Sequence, residues 1–211
     1  MAKLTNDVKD SSGKWLKGFS IGGVEFRTQS AVKWYSMLSR CSHNYADVYS
    51  SYRGCAVSDT FKDFQLFTDW HTKQVAYGIS GYDMDKDFIG CGKIYSESNC
   101  VLIPQALNKF LTYNTKSNSG LPIGVDIDKR YGDRYRTSIR TGESKRYLGT
   151  FRNLEDAGEA WIKAKKIEAT RWMHRLLAGE FIVDSRVIDA LEVWEPRFYT
   201  NSKQLDVFLL S

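Results

Sequence analysis

Residues 134–140 carry the pattern that most limits how this chain can fold. Arginine or serine alternates there with tyrosine, threonine or isoleucine. Since successive side chains of a strand point to opposite faces, the alternation predicts a half-buried strand with a cationic outer face. Residues 146–151 predict another strand. The apolar spacing from Leu154 then predicts a long amphipathic helix that ends near Gly179.

The same stretch concentrates the positive charge of the chain. The net charge is only +5, but residues 129–152 hold eight basic and two acidic residues. A row of guanidinium groups on one strand can follow a phosphate backbone or enter a major groove, which predicts binding of double-stranded DNA. RNA binding and a solvated outer face are the alternatives. The residues expected to contact DNA are Lys129, Arg130, Arg134, Arg136, Arg140, Lys145, Arg146 and Arg152.

The order of residues in this region is similar to that of a known DNA-binding family. Gly124 and Val125, the strand at 135–140, and the Leu-Gly-Thr-Phe segment at 148–151 before an alanine-rich helix resemble the APETALA-two type domain of plant ethylene-response factors. The resemblance implies a three-stranded antiparallel sheet packed on one helix, with strand arginines reading the major groove. Asp126 and Asp128 depart from the arginine-bearing first strand of the family. We therefore expect backbone contacts rather than strong base specificity.

The first half of the chain shows both helical and strand patterns. Residues 1–30 predict a strand pair or an extended lead-in. Apolar spacing predicts a helix from Ser30 to near Arg40 and a second helix after Ser58, with its aromatic residues in the core. Short strands are predicted at 82–89 and 94–103, joined by a turn at 90–92, and a helix is predicted to start at Pro104.

Residues 31–111 resemble the bacteriophage-type HNH endonucleases, many of which carry an APETALA-two-type module after the nuclease unit. The similarity lies in segments 34–41, 52–57, 61–70, 84–87 and 94–108. It implies a DNA endonuclease in which Asp85 and Asn108 bind Mg²⁺ or another divalent cation such as Mn²⁺, while Asn99 braces the loop. Oxygen ligands suit such a hard cation, which stabilises the charge that develops during phosphodiester hydrolysis.

Lys86 stands where the family motif has its general-base histidine. It is a base with a lowered pKa, or a cation that holds the scissile phosphate while another group supplies the nucleophile, or the mark of an inactive nuclease. His43 and His71 are the histidines near in sequence that would replace it as base. Cys91 occupies a turn position where a polar residue is expected.

These patterns predict an α+β protein, and the two resemblances imply a ββα-metal (HNH-like) unit followed by the three-stranded antiparallel sheet packed on one helix. The expected order is a lead-in (1–30), a nuclease domain (31–113), a linker (114–120), a DNA-binding domain (121–178) and a tail (179–211). Residues 176–211 hold six acidic and three basic residues, which suits a protein partner. The alternative function is a catalytically inactive, HNH-derived DNA-binding or protein-interaction factor, such as a phage regulator or inhibitor.

The remaining features concern location and cysteine chemistry. The chain has neither a signal-like start nor a run long enough for a membrane span, so we expect a cytoplasmic protein, in the host cell if it is phage-encoded. The four cysteines are separated by 14, 36 and 9 positions and lack close Cys-x-x-Cys pairs. Free thiols acting as small buried groups are therefore expected, rather than structural zinc.

Overall fold

The computed structural model describes residues 2–90, 92–112, 121–141 and 144–196. The fold is α+β, with seven α-helices and several small sheets in these ranges. Its contacts divide the chain into two units, one formed by Met1–Gln105 with Ile182–Ala190 and the other by Ala106–Phe181 with Leu191–Ser211. The predicted linker at 114–120, Cys91 and residues 197–211 of the predicted tail lie outside the described residues.

The first unit begins with a three-stranded sheet in the order β1-β3-β2. Strands β2 (Gly18–Ile21) and β3 (Val24–Thr28) form an antiparallel hairpin, which confirms the predicted strand pair. Strand β1 (Lys3–Thr5) pairs with β3 in parallel. That pairing was not predicted, because three residues are too few to show a period.

Four helices and a 3₁₀ turn follow the sheet. They are α1 (Gln29–Arg40), α2 (His43–Val48), the 3₁₀ turn Ser50–Tyr52, α3 (Asp59–Lys62) and α4 (Phe64–His71). Helix α1 confirms the helix predicted from Ser30. The second predicted helix is divided because the Asp63 carboxylate caps α4, accepting hydrogen bonds from the backbone N–H groups of Gln65 and Leu66. Phe61 and Phe67 are fully buried, so the aromatic row is core as predicted.

Four short strands complete the first unit: β4 (Ala56–Val57), β5 (Tyr82–Asp85), β6 (Ile94–Tyr95) and β7 (Val101–Pro104). Strand β6 pairs in parallel with β4, whereas β7 pairs antiparallel with β5. The prediction of one strand over 94–103 was therefore wrong, because its two ends bond to different partners. The strand predicted over 82–89 ends at Asp85, and the predicted helix start moves by one residue to give α5 (Gln105–Leu111).

The second unit contains the predicted three-stranded antiparallel sheet. Strands β8 (Val125–Asp128), β9 (Arg134–Thr141) and β10 (Ser144–Phe151) pair in the order β10-β9-β8. Helix α6 (Leu154–Leu177) packs on one face through a core of Val125, Ala157 and Trp161. Gly124 has a φ of +81°, and a Cβ there would lie 2.4 Å from the Ser138 carbonyl oxygen. The close approach of the backbone at Gly124 to strand β9 therefore requires glycine.

A last helix, α7 (Ser185–Glu192), lies in the segment that was predicted only as a tail. Val187 is fully buried. The guanidinium of Arg186 donates to the Ser98 carbonyl at 3.0 Å and to both carboxylate oxygens of Asp184. These contacts join residues 182–190 to the first unit. No helix among the described residues is long and apolar enough to cross a membrane.

Candidate functional site

Asp85 is the last residue of β5 and lies opposite Val101 of β7. The residue is 9% exposed, and its Oδ1 accepts hydrogen bonds from the backbone N–H groups of Asp87 at 3.0 Å and Phe88 at 2.8 Å. Burial raises the pKa of this carboxyl, against the effect of those hydrogen bonds. Within the described ranges, its Oδ2 accepts no hydrogen bond. That oxygen is therefore available for a ligand.

Lys86 lies directly after β5, and its side chain is 4% exposed. Its ammonium donates to the Asp87 carboxylate and to the Gly92 carbonyl, the latter at 2.8 Å, and lies 5.5 Å from the centre of the Tyr52 ring. Burial lowers the pKa of Lys86, but the hydrogen bond to Asp87 and its negative charge outweigh burial, so the pKa is raised. The direction is opposite to the one that a lysine base requires.

Asn99 lies in the turn between β6 and β7. Its Nδ2 donates to the Ile94 carbonyl at 3.1 Å, and its backbone N–H donates to the Ser96 carbonyl at 3.2 Å. A Cβ on Gly90 would lie 2.7 Å from the Asn99 Cβ, so the Asn99 side chain packs directly on the loop after Asp85. This position matches the bracing role that the family resemblance implies, which stays a prediction.

Asn108 lies on α5, on the second-unit side of the division. Its backbone carbonyl and Oδ1 accept hydrogen bonds from Thr112 Oγ1 at 2.8 and 3.4 Å. Asp85 belongs to the first unit. The predicted sharing of one metal ion by Asp85 and Asn108 therefore stays a prediction.

The two histidines considered as replacement bases have different surroundings. His71 is 2% exposed, and its Nδ1 lies 2.6 Å from Ser30 Oγ, which donates to the Asp7 carboxylate. Burial lowers the pKa of His71 to about 4. The side chain of His43 is 90% exposed and lies 3.8 Å from the Asp47 carboxylate. These contacts give His71 a structural role at the start of α1, and place His43 in solvent.

Among the residues that the structure describes, no three His, Cys, Asp or Glu side chains form a group that could hold a metal ion. Cys41, Cys55 and Cys100 are free thiols. Burial raises the pKa of Cys41 to about 11 and that of Cys100 to about 12, so both remain protonated at neutral pH. A protonated thiol is a poor metal ligand.

The face of the β8–β10 sheet that points away from α6 is called the outer face. Arg136 and Arg140 of β9 and Lys145 of β10 lie on it, and Lys145 is directly opposite Arg140 in the strand register. Arg136 and Lys145 line a groove of about 490 Å³. The residues that line the groove are Asp128, Arg130, Arg136, Ser138, Lys145, Tyr147 and Thr150.

Two aspartates of β8 lie among these cations. Asp128 is nearly buried and accepts two hydrogen bonds from the Arg130 guanidinium, at 2.9 and 2.8 Å. This hydrogen bonding lowers the pKa of Asp128. The Asp126 carboxylate is half-exposed, and one of its oxygens lies 3.8 Å from Arg136 Nη2 and 3.5 Å from Lys145 Nζ. The first strand therefore adds negative charge to a face that the second and third strands make positive.

Not all the predicted DNA contacts share the outer face. Arg146 is opposite Ile139, which is buried on the side of the helix, and the Arg146 Nε atom is itself buried. Lys129 follows β8 in the 3₁₀ turn Lys129–Tyr131, and Arg152 follows β10; both are exposed. Arg134 shares the outer face with Arg136 by strand alternation, but it is half-buried opposite Asp128. The concentration of charge predicted all of these residues as DNA contacts. Strand alternation counted from Lys145 instead places Arg146 on the opposite face of the sheet.

Sequence reasoning placed Ser138 on the outer face but missed two other polar residues that line the groove, Tyr147 and Thr150. Tyr147 is 60% exposed, and its hydroxyl lies 2.8 Å from Thr150 Oγ1. Tyr147 is two positions after Lys145, so alternation could have found it. Thr150 joins the same face only because the register shifts between Tyr147 and Gly149, and such a bulge leaves no clear sequence signal.

No family model, curated protein or solved structure matches this chain. The candidate functions therefore depend on the geometry of the two sites and on the motif resemblances.

Proposed function

We propose that the protein binds double-stranded DNA through the outer face of the β8–β10 sheet. The observation that carries this proposal is the direct pairing of Arg140 with Lys145 across two antiparallel strands. Like charges in such a pair destabilise a sheet. Neither residue forms part of the core, and with Arg136 they give three cations on one exposed surface. A phosphate backbone offsets that repulsion.

Duplex DNA suits this surface better than duplex RNA does. The major groove of B-form DNA is wide enough to admit a β-ribbon, whereas that of A-form RNA is too narrow for side chains to read. The outer face also carries Tyr147 and Thr150 beside the cations, which supports contacts to sugars and base edges. Binding is expected to be dominated by backbone contacts, because the first strand carries Asp126 and Asp128 where the family resemblance implies base-reading arginines.

Fluorescence anisotropy with a labelled 20-base-pair duplex tests the proposal. Arg136→Ala and Arg140→Ala should each weaken binding by about fivefold and reduce the slope of log K against log salt concentration by about 1. Lys163→Ala is the matched control, because Lys163 is exposed on α6, which covers the opposite face of the sheet. Equal affinities for all four proteins would refute the outer face as the DNA site.

A second candidate function is divalent-metal-dependent DNA hydrolysis at Asp85. Support comes from the order β5, β6, β7, α5, in which β5 pairs antiparallel with β7, and from the buried Asp85 carboxylate, whose Oδ1 alone accepts backbone hydrogen bonds among the described residues. Mg²⁺ commonly keeps several waters and binds proteins through one or two carboxylates plus substrate phosphates, so the donor set fits such an ion. When bound, the cation would stabilise the developing charge on the phosphodiester.

The residues around Asp85 have separable roles in this proposal. Asp85 would hold the cation, with Asn108 as the second proposed ligand. Lys86 would fix the loop through Asp87 and Gly92 and add positive charge near the bound phosphate, rather than accept a proton. Asn99 would keep the loop in place through its packing on Gly90.

Incubation with supercoiled plasmid and Mg²⁺ or Mn²⁺ separates this candidate from a DNA-binding protein without cleavage. Nicking by the unmodified protein should disappear with EDTA, with Asp85→Ala and with Asn108→Ala. It should persist with Asp83→Asn, which removes a carboxylate from the same strand. Retained DNA affinity without cleavage under any metal would favour the inactive, HNH-derived binding factor, in which residues after 178 offer an acidic surface to a protein partner.

A further inference from the structure

The Asp126 carboxylate occupies a distinctive position on the outer face. One of its oxygens lies 3.8 Å from Arg136 Nη2 on β9 and 3.5 Å from Lys145 Nζ on β10. A single oxygen thus faces cations from two neighbouring strands. A phosphate oxygen of a DNA backbone would make the same pair of contacts.

We propose that Asp126 fills a phosphate-binding position formed by Arg136 and Lys145, and that a DNA backbone phosphate displaces it on binding. This inference rests on the proposed DNA-binding function and adds that Asp126 limits the affinity of the protein for DNA. In the free protein, the carboxylate offsets the repulsion between the two cations. In the complex, DNA must compete with it, so Asp126 weakens binding.

The contacts of Asp126 are suited to displacement. The side chains of Asp126, Arg136 and Lys145 are 51%, 44% and 54% exposed, and both separations exceed those of strong charge-assisted hydrogen bonds. Exposed ion pairs of this kind contribute little to stability, because water screens them and because long side chains lose freedom when they are fixed. The carboxylate can therefore turn away without loss of the fold.

Asp128, two residues further along the same strand, shows the opposite arrangement. Its side chain is 5% exposed. It accepts hydrogen bonds from Nε and Nη2 of the Arg130 guanidinium and from the backbone N–H of Arg130. These bonds fix the 3₁₀ turn that follows β8. Asp128 is therefore a structural carboxylate, whereas Asp126 is an exchangeable one.

Salt-dependent anisotropy with the same duplex tests the inference on the full chain. Asp126→Asn should bind DNA about three- to tenfold more tightly. Its slope of log K against log salt concentration should become steeper by up to about 0.9, because the carboxylate displaced in the unmodified protein takes up a counterion and so offsets part of the counterion release. Glu159→Gln is the matched control. It removes one negative charge from an exposed position of α6 and should produce at most a small change.

Two double variants test whether the increase in DNA affinity comes from Arg136 and Lys145: Asp126→Asn/Arg136→Ala and Asp126→Asn/Lys145→Ala. Each should lose most of the increase in affinity, because one of the two cations that the phosphate would contact is missing. If Asp126→Asn binds like the unmodified protein while Arg140→Ala binds more weakly, DNA binding by the outer face stands and the inference on Asp126 is overturned. If neither the unmodified protein nor Asp126→Asn binds DNA, both proposals are overturned.

Discussion

Lys86 in the first unit and Lys145 in the second are both lysines beside aspartates, yet the structure uses them differently. Lys86 is 4% exposed and donates to Asp87 and to a backbone carbonyl. Lys145 is 54% exposed and lies 3.5 Å from Asp126. A charged residue in a sequence motif can thus be held by fixed hydrogen bonds within the fold, or it can have an ion-pair partner that a ligand replaces. Burial and backbone hydrogen bonds distinguish the two cases.

The largest expected effect concerns the buried lysine. Lys86→Met should lower the free energy of unfolding by about 2 kcal/mol, because the Gly92 carbonyl and the Asp87 carboxylate lose their donor. Lys145→Met should change it by less than about 0.5 kcal/mol, as expected for an exposed side chain. Urea unfolding of both variants measures the difference. Equal destabilisation would break the distinction between the two lysines.

A smaller effect is expected from pH, again through a buried group of the first unit. Burial lowers the pKa of His71 from 6.5 to about 4, so the unfolded chain binds this proton first as the pH falls. The contribution of neutral His71 to the free energy of unfolding is therefore complete above pH 6.5 and is lost as the pH falls toward 4. Between pH 7.5 and 5.5, His71 should account for a loss of about 1.3 kcal/mol.

Urea unfolding at the two pH values measures this loss, with His71→Gln and His43→Gln as a matched pair. Carboxylates also titrate at acid pH, so the informative quantity is the difference between variants. His71→Gln should remove the His71 share of the pH dependence, while His43→Gln should leave it in place. The same pH dependence in both variants would show that His71 is not the group responsible.

The smallest effect separates two adjacent cations of β10. Lys145→Ala should weaken DNA binding by about threefold and leave stability unchanged. Arg146→Ala should leave binding within about twofold and lower stability by about 1 kcal/mol, because its aliphatic part packs on the helix side of the sheet. Anisotropy and urea unfolding on both variants provide the measurement. A greater loss of DNA affinity in Arg146→Ala would reverse the proposed assignment of faces.

The sequence predicted those parts of the fold whose period is strong and whose neighbours are close in the chain. Strands β9 and β10, helix α1 and the start of α6 fall where alternation or 3.6-residue spacing indicated. The strand predicted over 94–103 failed because β6 and β7 bond to different strands, a choice made by tertiary contacts. Helix α7 was missed because it is only eight residues long, although Val187 and Leu191 have helical spacing and are both buried.

The candidate sites were predictable to different degrees. Strand alternation was sufficient to place Arg136 and Arg140 on one face. The contact of Lys86 with the Gly92 carbonyl depends on a loop conformation that residue types do not specify. The same holds for Thr150, which a register shift brings to the outer face. Side-chain identity predicts which face is polar, but not which polar side chains form hydrogen bonds with the backbone.

The division of the chain has a consequence for the order in which its parts can form during synthesis. Strands β8, β9 and β10 pair with neighbours in sequence, and α6 follows them directly, so this sheet can form as soon as it leaves the ribosome. The first unit begins earlier but includes Ile182–Ala190. Its last contacts must wait until the whole sheet and α6 have been made. The sheet proposed to grip DNA can thus form before the first unit is complete, whereas the second unit as a whole also requires Leu191–Ser211.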